Sequence, residues 1–124
     1  MKLSVLFLSL FFVTSAFAFP YEVECTGKYN GAQVKVNVEQ NFGGQFDFVP
    51  AEIHYDGALS GYQVRGGSFG SYDYSYDGDG MSLRVTFWPD NGPRWGSFYD
   101  GVLVSENLGN VRIRNLRCRY PNAK

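Results

Sequence analysis

Apolar and polar side chains alternate with a period of two over most of this chain, and the 3.6-residue period of an amphipathic helix is nearly absent. In Gln33–Gln40, Val34, Val36 and Val38 alternate with Lys35, Asn37 and Glu39. In Met81–Trp88, Met81, Leu83, Val85 and Phe87 alternate with Ser82, Arg84, Thr86 and Trp88. Such runs predict half-buried strands, apolar face inward. Tyr21-Val23-Cys25 alternates in the same way with Glu22 and Glu24, and Leu116-Cys118-Tyr120 with Arg117 and Arg119. Weaker runs are Phe46–Val49, Ile53–Tyr55, Tyr62–Arg65, Tyr72–Tyr76, Trp95–Tyr99, Val102–Ser105 and Val111–Arg114.

Between the runs lie Asn30-Gly31, Asp56-Gly57, Asp77-Gly78, Asp79-Gly80, Asn91-Gly92 and Asp100-Gly101, pairs that tolerate positive φ and predict turns. Pro50, Pro89 and Pro93 fall at run ends, where a missing N–H costs least. Gly66–Ser71 has the composition of a flexible loop. Between Val111/Ile113 and Leu116/Cys118 the inward phase slips by one residue, which predicts a β-bulge at Arg114-Asn115. Many short antiparallel strands joined by tight turns predict one all-β domain, a sandwich or a flattened small barrel of about eight strands.

The first eighteen residues change the picture. Met1-Lys2 gives a positive start, Leu3–Val13 is almost unbroken apolar, and Thr14–Ala18 ends with small residues at Ala16 and Ala18. That layout predicts a cleaved signal peptide over residues 1–18 and an exported domain over residues 19–124, secreted or periplasmic. The apolar stretch is shorter than the roughly 20 residues of a membrane-spanning helix, and no transmembrane segment is expected. With Lys2 removed, ten basic and twelve acidic side chains remain, a formal charge of −2. A near-neutral domain is not built as a whole to grip nucleic acid.

In an oxidising compartment Cys25 and Cys118 have only each other as intramolecular partners. Both share the inward phase, so a disulfide in or beside the core is expected, tying the first strand to the last. Glu22 and Glu24 are then expected on the outer face, in phase with Arg117 and Arg119 for cross-strand ion pairs. No CxxC spacing exists, and one histidine does not complete a zinc site. Neither a resident metal nor a cofactor is expected, apart from a weak calcium candidate at Asp77 and Asp79, which read first as hairpin-turn residues.

Catalytic constellations are sparse. His54 is the only histidine, and Ile53 and Tyr55 claim the inward face beside it. It reads as an outward strand residue rather than a general base, and no G-x-S-x-G elbow is present. The aromatic residues, 18% of the chain, say more. Tyr72, Tyr74 and Tyr76 occupy one face of one strand, either as a core stripe with hydroxyls at the rim or as a ligand surface. Trp88 is in the outward phase of its strand, and Trp95 follows Pro93-Arg94. Indoles exposed at strand ends are how many β-domains hold sugars or peptide segments. Arg112, Arg114, Arg117 and Arg119 form a basic stripe that suits an anionic partner or simply keeps a strand soluble.

These features point to a non-catalytic binding or interaction module for an unidentified polysaccharide or protein, with Trp88, Trp95, Arg94, Tyr72, Tyr74 and Tyr76 as candidate contacts. A tyrosine and a cysteine near the mature N-terminus, Tyr21 and Cys25, with a closing Cys118, are similar to the chain ends of small bacterial barrel-type lysozyme inhibitors. The resemblance covers only those ends, carries no residue roles, and implies an alternative: inhibition of a secreted hydrolase. A hydrolase is the remaining class, and no catalytic set supports it.

Overall fold

The computed structural model describes residues 21–41, 47–68, 70, 72–106 and 108–122. The leader read from the sequence, residues 1–18, lies outside them, as do Phe69, Ser71 and Lys124. Eight strands follow in order: β1 (Tyr21–Tyr29), β2 (Ala32–Glu39), β3 (Val49–Tyr55), β4 (Ala58–Ser68), β5 (Asp73–Gly78), β6 (Met81–Thr86), β7 (Tyr99–Ser105) and β8 (Val111–Arg119). Each pairs antiparallel with the next, and β1 pairs with β8, so the sheet closes into a barrel with no free edge. The barrel, not the sandwich, is the form the pattern takes.

Up-and-down order separates the two ends of the barrel. At one end sit tight turns. Asn30-Gly31, Asp56-Gly57 and Asp79-Gly80 all have positive φ at both residues, 50° and 80°, 49° and 80°, 52° and 82°. Mirror-image turns of this kind match the twist of paired strands. The other end holds the start of β1, the end of β8 and the long connection 87–98 between β6 and β7.

Inside, Val23, Val34, Val36, Val38, Ile53, Val64, Leu83, Val85, Leu103, Ile113 and Leu116 are fully or almost fully buried. Burying an aliphatic side chain of this size stabilises by roughly 1.5–3 kcal/mol, before the entropy of ordering it is charged against it. The outward positions of the same strands carry Lys35, Gln63, Arg65, Arg84, Asp100, Arg112 and Arg117. That is the reverse of the apolar outer band of a membrane barrel. Among the described residues no helix is long and apolar enough to cross a membrane.

The β1–β8 seam is short. Three residue pairs close it, Glu24↔Arg119, Cys25↔Cys118 and Thr26↔Arg117, against eight between β1 and β2. The Cys25–Cys118 disulfide joins directly opposed residues there, at a sequence separation of 93. Gly101 of the neighbouring β7 makes room for it: a Cβ at 101 would lie 2.5 Å from Cys118 Sγ. Across the outer face of the seam Arg119 Nη2 lies 2.9 Å from a Glu24 carboxylate oxygen. A structural disulfide fits an oxidising compartment.

Several sequence expectations need correction. Asp77-Gly78 and Asp100-Gly101 are not turns but strand residues, paired with Ser82-Met81 and with Arg117-Leu116. Their neighbours supply enough cross-strand partners to hold them extended. Pro50 lies inside β3, opposite Gln63, rather than at a run end. Trp95–Tyr99 is not a strand; the chain stays irregular from Phe87 until β7 begins at Tyr99. Gly66–Ser68 belongs to β4 and pairs with Tyr76, Ser75 and Tyr74 instead of starting a loop. The bulge at Arg114-Asn115 is present: Gly101 faces Leu116 while Leu103 faces Ile113, and Asn115 has φ 63°.

The largest correction is at Glu22. The β1–β2 register shifts between Tyr21 and Val23, an irregularity the sequence pattern hides. Glu22 therefore does not join Glu24 on the outer face. Its carboxylate enters the barrel mouth and accepts the Tyr76 hydroxyl proton at 2.5 Å.

Candidate functional site

The end of the barrel with the long connections carries two adjoining features, and the connection from Phe87 to Phe98 contributes to both. It begins where β6 stops at Thr86. Phe87 is buried against Tyr99 and Tyr120, edge to face, at centroid separations of 5.2 and 5.5 Å. The next residue, in the opposite phase, is Trp88, which is 68% exposed. Its ring meets Tyr72 edge-on at 4.8 Å. Farther along, Trp95 is 72% exposed and Phe98 54% exposed.

One buried hydroxyl organises this connection. Tyr99 Oη accepts the Arg94 backbone N–H at 2.8 Å and donates its single proton to Asp90 Oδ2 at 3.1 Å, with the Gly92 carbonyl 3.4 Å away. Arg94 also pairs with Asp90 at 3.2 Å. A ring anchored in the core thus holds the loop at Asp90 and at Arg94. Replacing Tyr99 by phenylalanine is expected to cost about 1 kcal/mol, the net worth of a typical internal hydrogen bond. Hydrogen exchange at the Arg94 amide should accelerate well beyond that of β6 amides in the same variant. Equal protection in variant and parent would remove Tyr99 from this role.

The arginine stripe divides at the bulge. Arg117 and Arg119 reach this end; the Arg117 guanidinium lies 4.2 Å over the Phe98 ring. Trp95, Gly96, Phe98, Arg119, Tyr120 and Pro121 line a cavity of about 290 Å³. Arg112 and Arg114 precede the bulge on β8, with Arg112 opposite Val104. On the other side of the same end Arg65 lies 4.5 Å over Phe48, itself 51% exposed.

The three tyrosines do not act as one stripe. Tyr74 and Tyr76 face inward with their rings 5.1 Å apart, and Tyr76 is 2% exposed. Tyr72 precedes β5 and packs on Trp88. Gly66 makes space for the inward pair, since a Cβ there would lie 2.8 Å from the Tyr74 ring. Tyr76 Oη is 3.1 Å from Tyr120 Oη. Because Tyr76 gives its single proton to Glu22, Tyr120 must donate to Tyr76. Burial first, and the Glu22 charge after it, pushes the Tyr74 phenol above its ordinary value. Burial, then Tyr120 and Glu22, pushes Tyr76 well above it. Burial is also the main cause of a large upward shift at Tyr120.

The other sequence candidates lie away from this end. His54 Nε2 bonds Glu52 at 3.1 Å on the outer face, in register with Lys35 and Leu59. Asp77 accepts the Ser75 hydroxyl at 2.8 Å, and Asp79 accepts the Gln63 N–H at 2.8 Å. Among the described residues no group of three or more His, Cys, Asp or Glu is placed to hold a metal.

Sequence reading missed Glu22, Phe87, Phe98 and Tyr120. Phe87 and Tyr120 were legible as inward-phase residues, but nothing in the chain says that they meet at one mouth. The class this architecture defines is a closed eight-stranded antiparallel barrel, pinned at its seam by one disulfide, with aromatic residues concentrated at one end. Comparison with protein families, curated proteins and solved structures finds no match for this chain.

Proposed function

We propose that this protein is an exported, non-catalytic binding domain, secreted or periplasmic, and that the connection from Phe87 to Phe98 is its contact surface. The observation that carries the reading is the pair of exposed indoles, Trp88 and Trp95, on a loop held from beneath by Tyr99. Exposed Trp beside Arg is the composition of a binding hot spot. Preorganisation lowers the entropy cost of contact. The perpendicular Tyr72–Trp88 pair, interplanar angle 77°, offers no flat two-ring platform for a sugar. This favours a protein ligand over a polysaccharide.

A second reading, inhibition of a secreted hydrolase such as a lysozyme, is favoured by the same loop, which is exposed and held at several points as a cleft-filling element must be. The test is a titration of tryptophan emission against a lysozyme panel and against soluble polysaccharides, alongside lysozyme turnover. A saturable emission change is expected with a protein ligand, weakened at least tenfold in both Trp88→Ala and Trp95→Ala. Loss of lysozyme turnover in step with binding would select the inhibitor reading. A ligand bound equally well by parent and both variants would sink the loop as the site.

A further inference from the structure

The barrel mouth beneath that loop holds a feature that the loop's role does not explain. A cavity of about 290 Å³ opens there, lined by Glu22, Gln40, Tyr74, Tyr76, Phe87, Pro93, Tyr120 and Asn122. Four of these are aromatic residues and one is a carboxylate. No lysine or arginine is among the described lining residues. The nearby guanidiniums are engaged elsewhere, Arg119 with Glu24, Arg117 over Phe98 and Arg94 with Asp90.

The irregularity at the start of β1 brings the half-buried Glu22 carboxylate beside these rings, with no cation among the described lining residues. Two phenols in series are arranged to steady it. Tyr120 donates to Tyr76, and Tyr76 donates to Glu22. Hydrogen bonds to an ionised acceptor are the strong ones. The negative charge is felt through the lining, for it contributes to the upward shifts of Tyr74, Tyr76 and Tyr120 alike. An anion would be repelled here. A neutral apolar molecule would displace water from the carboxylate and supply no counter-charge.

We propose that this mouth is a binding site for an organic ammonium group, with Glu22 as the counter-charge and the rings of Tyr74, Tyr76, Phe87 and Tyr120 as the cage. Aromatic faces attract a cation through their quadrupole, most strongly where water is excluded, and a cage of rings closed by a carboxylate is the general solution for ammonium heads. The cavity volume leaves room for a head with several carbon substituents. The ammonium group is either that of a free amine or that of a lysine side chain on a partner protein.

Aromatic proton NMR of the full protein, titrated with tetramethylammonium chloride, n-butylammonium chloride and tert-butanol, tests the site. Tert-butanol has nearly the shape of tetramethylammonium without its charge. Saturable shifts confined to the Tyr74, Tyr76, Phe87 and Tyr120 rings are expected with both ammonium probes, and binding at least tenfold weaker with tert-butanol. Glu22→Gln keeps an acceptor for Tyr76 and removes the charge; it should weaken both ammonium probes at least tenfold and leave tert-butanol unchanged. Tyr74→Leu, which keeps the carboxylate and opens the cage, should weaken tetramethylammonium several-fold. The comparison of charged and neutral probes on the unaltered protein needs no variant to fold. Equal affinities for tetramethylammonium and tert-butanol, shifts spread outside the mouth, or unaltered ammonium binding in Glu22→Gln would each overturn the proposal. Nα-acetyl-lysine methylamide distinguishes the sources. Tighter binding than n-butylammonium marks a lysine of a protein partner, and equal or weaker binding marks a free amine.

Discussion

Replacing both Cys25 and Cys118 by alanine is expected to remove roughly 4–5 kcal/mol of stability, the chain-entropy value for a closed loop of about 100 residues. At about 4–8 °C per kcal/mol for a domain of this size, the melting temperature should fall by roughly 15 °C or more. The position of the bridge makes this more than a generic crosslink. It spans 93 residues of sequence and sits in the middle of a seam of only three residue pairs. Without it, closure rests on that short ladder and on the exposed Glu24–Arg119 pair, and exposed pairs contribute little. Calorimetry of the parent, the double variant and the reduced parent measures the effect. A fall of only two or three degrees would mean that β-strand pairing alone closes the barrel. Any ligand binding by the loop should survive in the double variant at low temperature, because both cysteines lie outside the Phe87–Phe98 connection.

The second large effect is expected in alkali. In the unfolded chain Tyr76 and Tyr120 titrate near pH 10. In the folded chain burial raises both, Tyr76 further through Tyr120 and Glu22; at Tyr120 burial outweighs the hydrogen bond with Tyr76, which acts the other way, and Glu22 adds to the rise. The folded state therefore keeps protons that the unfolded state releases. Their stabilising contribution is whole below pH 10 and falls as pH rises above it. Between pH 9 and pH 11 the two phenols together should cost about 3 kcal/mol, provided that both stay protonated in the folded state. Denaturant unfolding at the two pH values measures the difference. Tyr76→Phe combined with Tyr120→Phe should be less stable than the parent below pH 9, since it strips Glu22 of its donor, and most of the pH dependence should vanish, so that the gap narrows as pH rises. A parent whose stability is flat from pH 9 to 11 would mean that the mouth opens to solvent before the phenols titrate.

How far the chain could be read depended on the range of the interaction involved. The period-two runs at Gln33–Gln40 and Met81–Trp88 became β2 and β6 because alternation is a local property, visible within one strand. The positive-φ pairs Asn30-Gly31, Asp56-Gly57 and Asp79-Gly80 became turns for the same reason. Asp77-Gly78 and Asp100-Gly101 have the same chemistry but became strands, since partners from distant parts of the chain held them extended. The bulge at Arg114-Asn115 left a trace in sequence because the apolar phase slips there. The irregularity at Glu22 left none, because Tyr21, Val23 and Cys25 alternate without a break on either side of it.

The candidate site divides along the same line. Trp88 could be placed outward from phase alone, because Leu83, Val85 and Phe87 must point the other way. That Tyr99 would hold the Trp88–Phe98 connection from beneath required β7 to lie beside β6. The convergence of Glu22, Tyr76 and Tyr120 joins β1, β5 and the residue after β8, elements brought together only when the barrel closes. By itself, then, the sequence determined an all-β domain, its inward faces, most of its tight turns and the one possible disulfide, all consequences of alternation, local backbone preference and residue count. Closure into a barrel and the mouth it creates were decided only by the tertiary structure. They depend on register between strands, which a one-residue bulge can reverse without altering composition or period.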